Sequence, residues 1–315
     1  MSDSLLNMDL LSQLLSLLSP ERYASGGVML APESAVQWPY HEGVKCYAVV
    51  SGACWLSVEG LEHPIQLQKG DCFLLPPGPS FRLATELSAK PVDFRTVRSE
   101  MVAAAIASGT GESSGCFIAG GHFLLTGRAA ELLLKPLPTI VHIRNPADKA
   151  AMQWSIERMV KEIREPQPGS GLIVQQLAFM LLIHALRLYA DEGQKESVGW
   201  LFALRDKKLS AALVCMHQNP EYKWTLASLA AKAGMSRAAF AKHFKHTVGS
   251  APIEYLTQWR MLLACERLSH GDETIAQIAA ASGYDSESAF AKAFKRVIGC
   301  PPGKVADSKK NELSN

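Results

Sequence analysis

Several things are scarce in this chain, and each scarcity closes off a class of protein. The seven cysteines, Cys46, Cys54, Cys72, Cys116, Cys215, Cys265 and Cys300, are odd in number and scattered, with no CxxC pair. That pattern excludes a disulfide framework and points to reduced thiols in the cytoplasm. The leucine-rich start, residues 1–19, lacks a basic opening and a small-residue cleavage site, so it does not read as a signal peptide. Its leucines at 5, 6, 10, 11, 14, 15, 17 and 18 follow one helical face. No run reads as long enough to cross a membrane. The histidines of the N-terminal half, His41, His63, His122 and His142, have no histidine partner at i+2 or i+4. No Ser-His-Asp or Cys-His arrangement is supported by spacing either, so no catalytic residue, metal ligand or cofactor is assigned.

Net charge is also small, +2 over 315 residues, but it is unevenly placed. Residues 1–204 carry 16 basic and 20 acidic side chains, a net of −4, whereas residues 205–300 carry 13 and 8, a net of +5. A mildly acidic half followed by a basic one fits nucleic-acid binding by the second half alone.

That second half is written twice. Leu226-Ala227-Ser228-Leu229-Ala230-Ala231-Lys232-Ala233-Gly234 recurs as Ile275-Ala276-Gln277-Ile278-Ala279-Ala280-Ala281-Ser282-Gly283. Each copy runs on through Phe-Ala-Lys-x-Phe-Lys, at 240–245 and 290–295, to Gly-x-x-Pro, at 249–252 and 299–302. Two copies are too few for a solenoid. They suit a ligand that itself repeats, such as DNA. Thr225 and Thr274 read as N-caps, Gly234 and Gly283 as left-handed turn residues, and Ser236 caps a second helix. Helix, glycine turn and helix make the helix-turn-helix pattern, whose second helix can enter a major groove.

The helical period then predicts which residues face the DNA. Phe240 and Phe244 mark the buried side of the first recognition helix, leaving Arg237, Ala238, Ala241, Lys242 and Lys245 opposite. The same positions in the second copy are Glu287, Ser288, Ala291, Lys292 and Lys295. Lysines can meet phosphates or guanine edges, serine can bond to several bases, and alanine can accept a thymine methyl. Between the copies, Pro252 to Leu268 reads as one long helix, roughly 25 Å at about 1.5 Å per residue. Such a strut could hold two recognition helices about one DNA turn apart, roughly 34 Å.

From about Trp200 to Pro302 the chain resembles the DNA-binding domain of the AraC/XylS family of bacterial transcription regulators. The residues that carry the likeness are Ala279, Gly283-Tyr284-Asp285-Ser286, Phe290, Phe294-Lys295, Gly299 and Pro302, with Tyr255-Leu256 and Trp259-Arg260. Positions 242 and 292, where the family often has arginine, are lysine here, a point charge without the bidentate fork. The resemblance implies double-stranded DNA and RNA polymerase as partners.

Residues 26–125 show short apolar runs between glycine and proline turns, which suggests an all-β barrel or sandwich. Gly70-x5-Pro76-x-Gly78 resembles the second motif of the cupin barrel, but Phe81 stands where metal-binding cupins place a histidine. The domain therefore resembles a cupin that has lost its metal. Trp38, Tyr47, Trp55, Phe73 and Phe81 are candidates to line a pocket for a small organic effector, or simply to form core. The stretches 147–164 and 171–189 read as helices. The second is apolar on more than one side, so Phe179, Leu182 and Leu186 are candidate contacts of a homodimer.

The expected fold is α+β: an N-terminal cupin-like β-barrel with flanking helices, and a C-terminal all-α domain with two helix-turn-helix motifs joined by a long helix. The expected domains are 1–190 for sensing and dimerisation, 191–204 as linker and 205–315 for DNA binding. The expected function is that of a cytoplasmic, homodimeric transcription regulator without enzymatic activity or a membrane partner. Two alternatives stay open: a metal-dependent cupin enzyme fused to a DNA-binding domain, and a redox-sensing regulator using its cysteines.

Overall fold

The computed structural model describes residues 9–17, 20–107, 115–125, 127–135, 137–192, 199–203, 205–271 and 273–313. The chain divides into two compact units, one of residues 20–125 and 137–192, the other of residues 1–19, 126–136 and 193–315.

The first unit is built on ten strands. They are β1 (Pro20–Leu30), β2 (Ala35–Trp38), β3 (Val44–Ser51), β4 (Ala53–Val58), β5 (Ile65–Gln68), β6 (Cys72–Leu75), β7 (Phe81–Ala84), β8 (Pro91–Asp93), β9 (Cys116–Leu125) and β10 (Val141–Ile143). They form two five-stranded sheets, ordered β1-β9-β3-β6-β10 and β5-β4-β7-β2-β8. Pairing is antiparallel except between β2 and β8. The period of two sorts the side chains. Val49 of β3, Cys54, Leu56 and Val58 of β4, Phe73 and Leu75 of β6 and Ile118 of β9 meet in one core with Trp38, Phe81 and Leu83.

Strands β3, β4, β5, β6, β7 and β9 fall on the apolar runs that predicted them, at 44–50, 53–58, 64–67, 72–75, 81–83 and 117–125. Strand β1 was not legible, because its Glu21-Arg22-Tyr23-Ala24-Ser25-Gly26-Gly27 stretch has no alternation. It is a strand because β9 offers it a full ladder of partners, from Leu125 to Cys116. Helix α2 (Phe94–Ala107) also went unread, having a weak apolar stripe that buries only Met101 and Ala105.

Helices α4 (Pro146–Arg164) and α5 (Ser170–Glu192) complete this unit. Asn145 caps α4, its side chain accepting from the Ala147 N–H. By length and composition α5 could cross a membrane, with a mean hydropathy of 1.6, which corrects the reading that no run is long enough. Its Val174, Leu177, Ala178, Leu181, Leu182, Ala185 and Leu186 are nevertheless buried in one stripe, and Phe179 packs edge-on against Phe123 of β9. Asp71, in the turn before β6, accepts from Lys149 of α4 at 2.5 Å and pairs with His142 at 3.1 Å. His142 is thus a structural histidine.

The second unit holds α6 (Trp200–Ala203), α7 (Lys207–Gln218), α8 (Leu226–Lys232), α9 (Arg237–Val248), α10 (Pro252–His270), α11 (Ile275–Ala281), α12 (Glu287–Ile298) and α13 (Pro302–Leu313). Two segments expected within residues 1–190, α1 (Leu10–Ser16) and α3 (Gly127–Leu134), group with these helices instead. Leu10, Leu11, Leu14 and Leu15 of α1 are buried, while Leu5, Leu6 and Leu18 lie outside the described residues. Of the expected linker, residues 193–198 and 204 lie outside the described residues, and α6 within it buries Leu201 and Ala203.

A buried relay shows why α1 belongs here. Gln13 Oε1 of α1 lies 2.8 Å from His217 Nδ1, and His217 Nε2 lies 2.8 Å from the Tyr255 hydroxyl. The imidazole stacks on Trp259 with centroids 3.9 Å apart. With Nδ1–H donating to Gln13, Nε2 accepts from Tyr255, so the neutral ring is satisfied. Burial lowers the His217 pKa to about 3. An unfolded histidine titrates near 6.5, so as pH falls from about 6.5 towards 3 the unfolded chain takes up the proton first. We predict that the unit loses stability across that window, at up to about 1.4 kcal/mol per pH unit. The measurement is amide exchange in α7 and α10 at pH 7 and pH 5, corrected for intrinsic rates. In His217→Gln the pH dependence should flatten, and an unchanged slope would contradict the assignment.

Candidate nucleic-acid interface

Two helix pairs are built alike from like residues. Thr225 caps α8 with Ser228 in a reciprocal capping box, and Thr274 caps α11 with Gln277 in another. Each box satisfies two backbone donors that a helix start leaves open. Gly234 and Gly283 then turn the chain at φ 62 and 76. Ser236 and Ser286 cap α9 and α12, each accepting from the backbone N–H three residues on at 3.3 Å. Gly249 and Gly299 end those helices at φ 91 and 92. The two copies thus share a cap, turn, cap and stop.

Packing fixes which side of each second helix faces out. Phe240 and Phe244 are fully buried on α9, as are Phe290 and Phe294 on α12. Arg237, Ala238, Lys242 and Lys245 are exposed and Ala241 half-buried. On α12, Glu287, Ser288, Lys292 and Lys295 are exposed and Ala291 half-buried. The structure therefore brings each set of five together on one accessible helix face. Arg296 is exposed beside them. Among the described residues none of the cations Arg237, Lys242, Lys245, Lys292, Lys295 and Arg296 forms an ion pair. Glu287 sits in the first turn of α12, where a negative charge favours the helix dipole.

The strut α10 carries both pairs. Tyr255, Leu256 and Trp259 are buried near its start, with Tyr255 edge-on to Phe244. Met261, Ala264 and Leu268 join Ile278, Ala279, Phe290 and Phe294 in a second core. At 19 residues the helix is roughly 28 Å long. Asp206, the N-cap of α7, also takes His243 of α9 at 2.5 Å.

The loop 219–224 was not read as a site element, yet it ties the two copies. Arg260 donates through Nε to the Pro220 carbonyl at 2.5 Å and through Nη2 to the Tyr222 carbonyl at 2.8 Å. Gly283 closes against the same loop: a Cβ there would lie 2.5 Å from the Glu221 carbonyl oxygen. A Cβ on Gly234 would meet nothing within 4 Å. The family signature Gly283-Tyr284 beside Arg260 was the one signal that could have revealed this contact.

In the barrel, Trp38, Phe73 and Phe81 are buried in the core, with Tyr47 packed against it. Trp38 stacks on Phe81 at 5.0 Å and on Phe94 at 4.6 Å. Trp55 does not share this interior. Cys54, Leu56 and Val58 point inward, so alternation puts Trp55 on the outer face of β4. Leu182 and Leu186 also need correction as dimer contacts, because both are fully buried in their own unit. Phe179 is half-buried against Phe123. Among the described residues, the exposed large apolar side chains of α4 and α5 are Trp154, Leu172 and Ile173.

The barrel cysteines are all buried. Contact with Cys72, 3.9 Å between sulfurs, and burial push the Cys46 thiol well up. Contact with Cys116 and burial do the same to Cys54. The thiolate is the reactive form, so these thiols are poorly placed as oxidant sensors. Among the described residues no three His, Cys, Asp or Glu side chains form a group that could hold a metal ion.

A basic pair of helix-turn-helix units on one strut, joined in one chain to a cupin barrel, defines a DNA-binding transcription regulator. Residues 9–191 match the family described as Cupin, and residues 229–308 match the one described as Helix-turn-helix domain. An AraC-like transcription regulator of Streptomyces lividans is 40% identical over 299 residues, covering 94% of this chain and 97% of that protein. One of Streptomyces antibioticus is 38% identical over 297 residues, with coverage of 94% and 97%. The crystal structure of the AdpA DNA-binding domain in complex with a target DNA matches at 26% identity, covering 33% of this chain and 93% of that one, with a TM-score of 0.32. The chain belongs to the AraC-like transcription regulators, with a cupin domain at its N-terminal side.

The two turn glycines give a paired test. Gly234→Ala should cost about 1 kcal/mol, the ordinary penalty of a left-handed alanine. Gly283→Ala should cost about 2 kcal/mol or more, since the loop carbonyl must also shift. Urea unfolding of the two variants checks the difference, and equal losses would contradict a role for the Glu221 contact.

Proposed function

We propose that each chain lays α9 and α12 into successive major-groove segments of double-stranded DNA, reading sequence with both. One observation carries this: two second helices, each with an accessible face bearing cations that form no ion pair among the described residues, are held by one strut roughly 28 Å long. That length is close to the roughly 34 Å of one DNA turn. The groove-facing residues are Arg237, Ala238, Ala241, Lys242 and Lys245 on α9 and Glu287, Ser288, Ala291, Lys292 and Lys295 on α12. If most of these five cations and the neighbouring Arg296 engage phosphates, log affinity should fall against log salt with a slope of roughly −4 to −5 per chain. Lys242→Ala and Lys292→Ala should each weaken binding. A loss of about 1–3 kcal/mol confined to the preferred sequence would mark base reading, whereas a uniform loss would mark phosphate contact. A flat salt dependence would refute the reading.

The barrel unit serves assembly and sensing, and the chain acts in the cytoplasm without enzymatic activity, with RNA polymerase as a further partner. Supporting the absence of catalysis, the place where a cupin presents a metal-ligand histidine is filled by Phe81, stacked on Trp38. The effector is a small organic molecule that binds one domain arrangement more tightly than another. The homodimer forms through the outer side of α4 and α5, where Trp154 and Leu172 are 65% and 68% exposed. Trp154→Glu and Leu172→Glu should yield folded monomers in sedimentation, with a melting temperature that no longer depends on protein concentration. Leu182→Glu, at a fully buried site, should unfold the barrel unit instead. Wild-type chain sedimenting as a monomer at micromolar concentration would exclude the dimer.

A further inference from the structure

One end of the barrel interior gathers basic side chains with no acid among them within the described residues. Lys45 of β3 stands directly opposite His122 of β9 in the antiparallel ladder. Two residues further along, Tyr47 packs against the core between the sheets, so alternation points Lys45 to that same interior. His41 arrives from the preceding segment, pinned by a backbone bridge to Gly78. Its ring lies 6.2 Å from that of His122 and edge-on to Phe81 at 5.7 Å. The Lys45 ammonium lies 5.8 Å from the centre of the Phe81 ring. Gly43 leaves the room this needs, since a Cβ there would be 2.3 Å from His122 Nε2.

Lys45 and His41 are buried and His122 is half-buried with its Nε2 enclosed, and the set is largely unanswered. Lys45 and His41 are each only 6% exposed. Lys45 makes no hydrogen bond or ion pair among the described residues, and the buried His122 Nε2 has no hydrogen-bond partner there. His41 uses Nδ1 on the Gly43 carbonyl at 2.7 Å, which leaves Nε2 free. Burial, with repulsion from Arg98 of α2, lowers Lys45 to about 8. Burial and repulsion from Lys45 and His41 lower His122 to about 4. An ammonium in so dry a place normally has an anion beside it.

We propose that Lys45, His122 and His41 form the head-group site for an organic carboxylate, whose apolar body lies against Phe81, Trp38 and Tyr47. The carboxylate accepts from Lys45 Nζ and from His122 Nε2–H, and a proton on His41 Nε2 adds a third donor. One ammonium and two imidazoles suit a monoanion, whereas a phosphate dianion favours arginine forks and backbone N–H groups. A metal ion suits the place poorly, since two imidazoles and an ammonium supply neither a third ligand nor negative charge. The proposal rests on reading the barrel as the sensor and names the chemical class it senses.

The test is calorimetry on the full chain with phenylacetate, cinnamate and decanoate, against their primary amides and inorganic phosphate. At least one carboxylate should saturate one site per chain and bind at least about tenfold tighter than its amide or phosphate. At pH 8 the binding enthalpy should vary with the buffer, because the anion draws protons onto Lys45 and the histidines. Lys45→Met and His122→Phe should each weaken carboxylate binding about tenfold or more, with DNA affinity of the ligand-free protein unchanged. Should either variant fail to fold, protection of Lys45 from acylation in wild-type protein by the same carboxylate gives the answer. No saturable carboxylate, equal binding of acid and amide, or no protection of Lys45 would overturn the site. Carboxylate binding that leaves DNA affinity unchanged would instead refute sensing and leave the site standing.

Discussion

The DNA-binding half depends on one helix burying apolar side chains for two modules at once. Alone, neither helix pair has enough apolar surface to close a core. Tyr255, Leu256 and Trp259 of α10 close the first, and Met261, Ala264 and Leu268 close the second. Because the helix between them is continuous, the modules cannot turn independently without breaking its backbone ladder. Arg260 and the close approach of Gly283 to the Glu221 carbonyl lock the same arrangement from the side. Rigid spacing of the two recognition helices is therefore a consequence of core formation, not of a separate device.

His217 of the helical unit and the His122–Lys45 pair of the sheet unit are buried polar groups treated in opposite ways. His217 is enclosed with a partner for each ring nitrogen and an aromatic face beneath it, so its neutral form is satisfied and structural. Lys45 and His122 are enclosed without such partners. Burial without satisfaction is costly, and a protein retains it where something else completes the set. The same contrast separates His142, held by Asp71, from His41 and His122. It also separates the barrel from an oxidant sensor, whose thiols need exposure and a lowered pKa, where Cys46 and Cys54 have burial and a raised one.

Much of the helical half was legible because its determinants are local. A threonine cap, a left-handed glycine, a serine cap and two phenylalanines one turn apart each act within a few residues, and they recur at a spacing of 49 or 50. The outward faces of α9 and α12 follow from that spacing alone. The barrel was legible only where strands alternate. Strand β1 and helix α2 needed partners that lie some hundred residues or a whole sheet away.

What the sequence determined by itself was the kind of the helical elements in the two modules, the alternating strands and the existence of the two modules, since capping, turn sterics and periodicity are short-range. The tertiary structure alone decided which neighbour each apolar face meets. It put Leu182 and Leu186 inside, Trp55 outside, and α1 against the helical unit through Gln13. It also brought His41, Lys45 and His122 together from two strands and a loop, 77 residues of chain apart between Lys45 and His122. Strand pairing fixes such meetings, and the pairing register is set by the whole sheet at once.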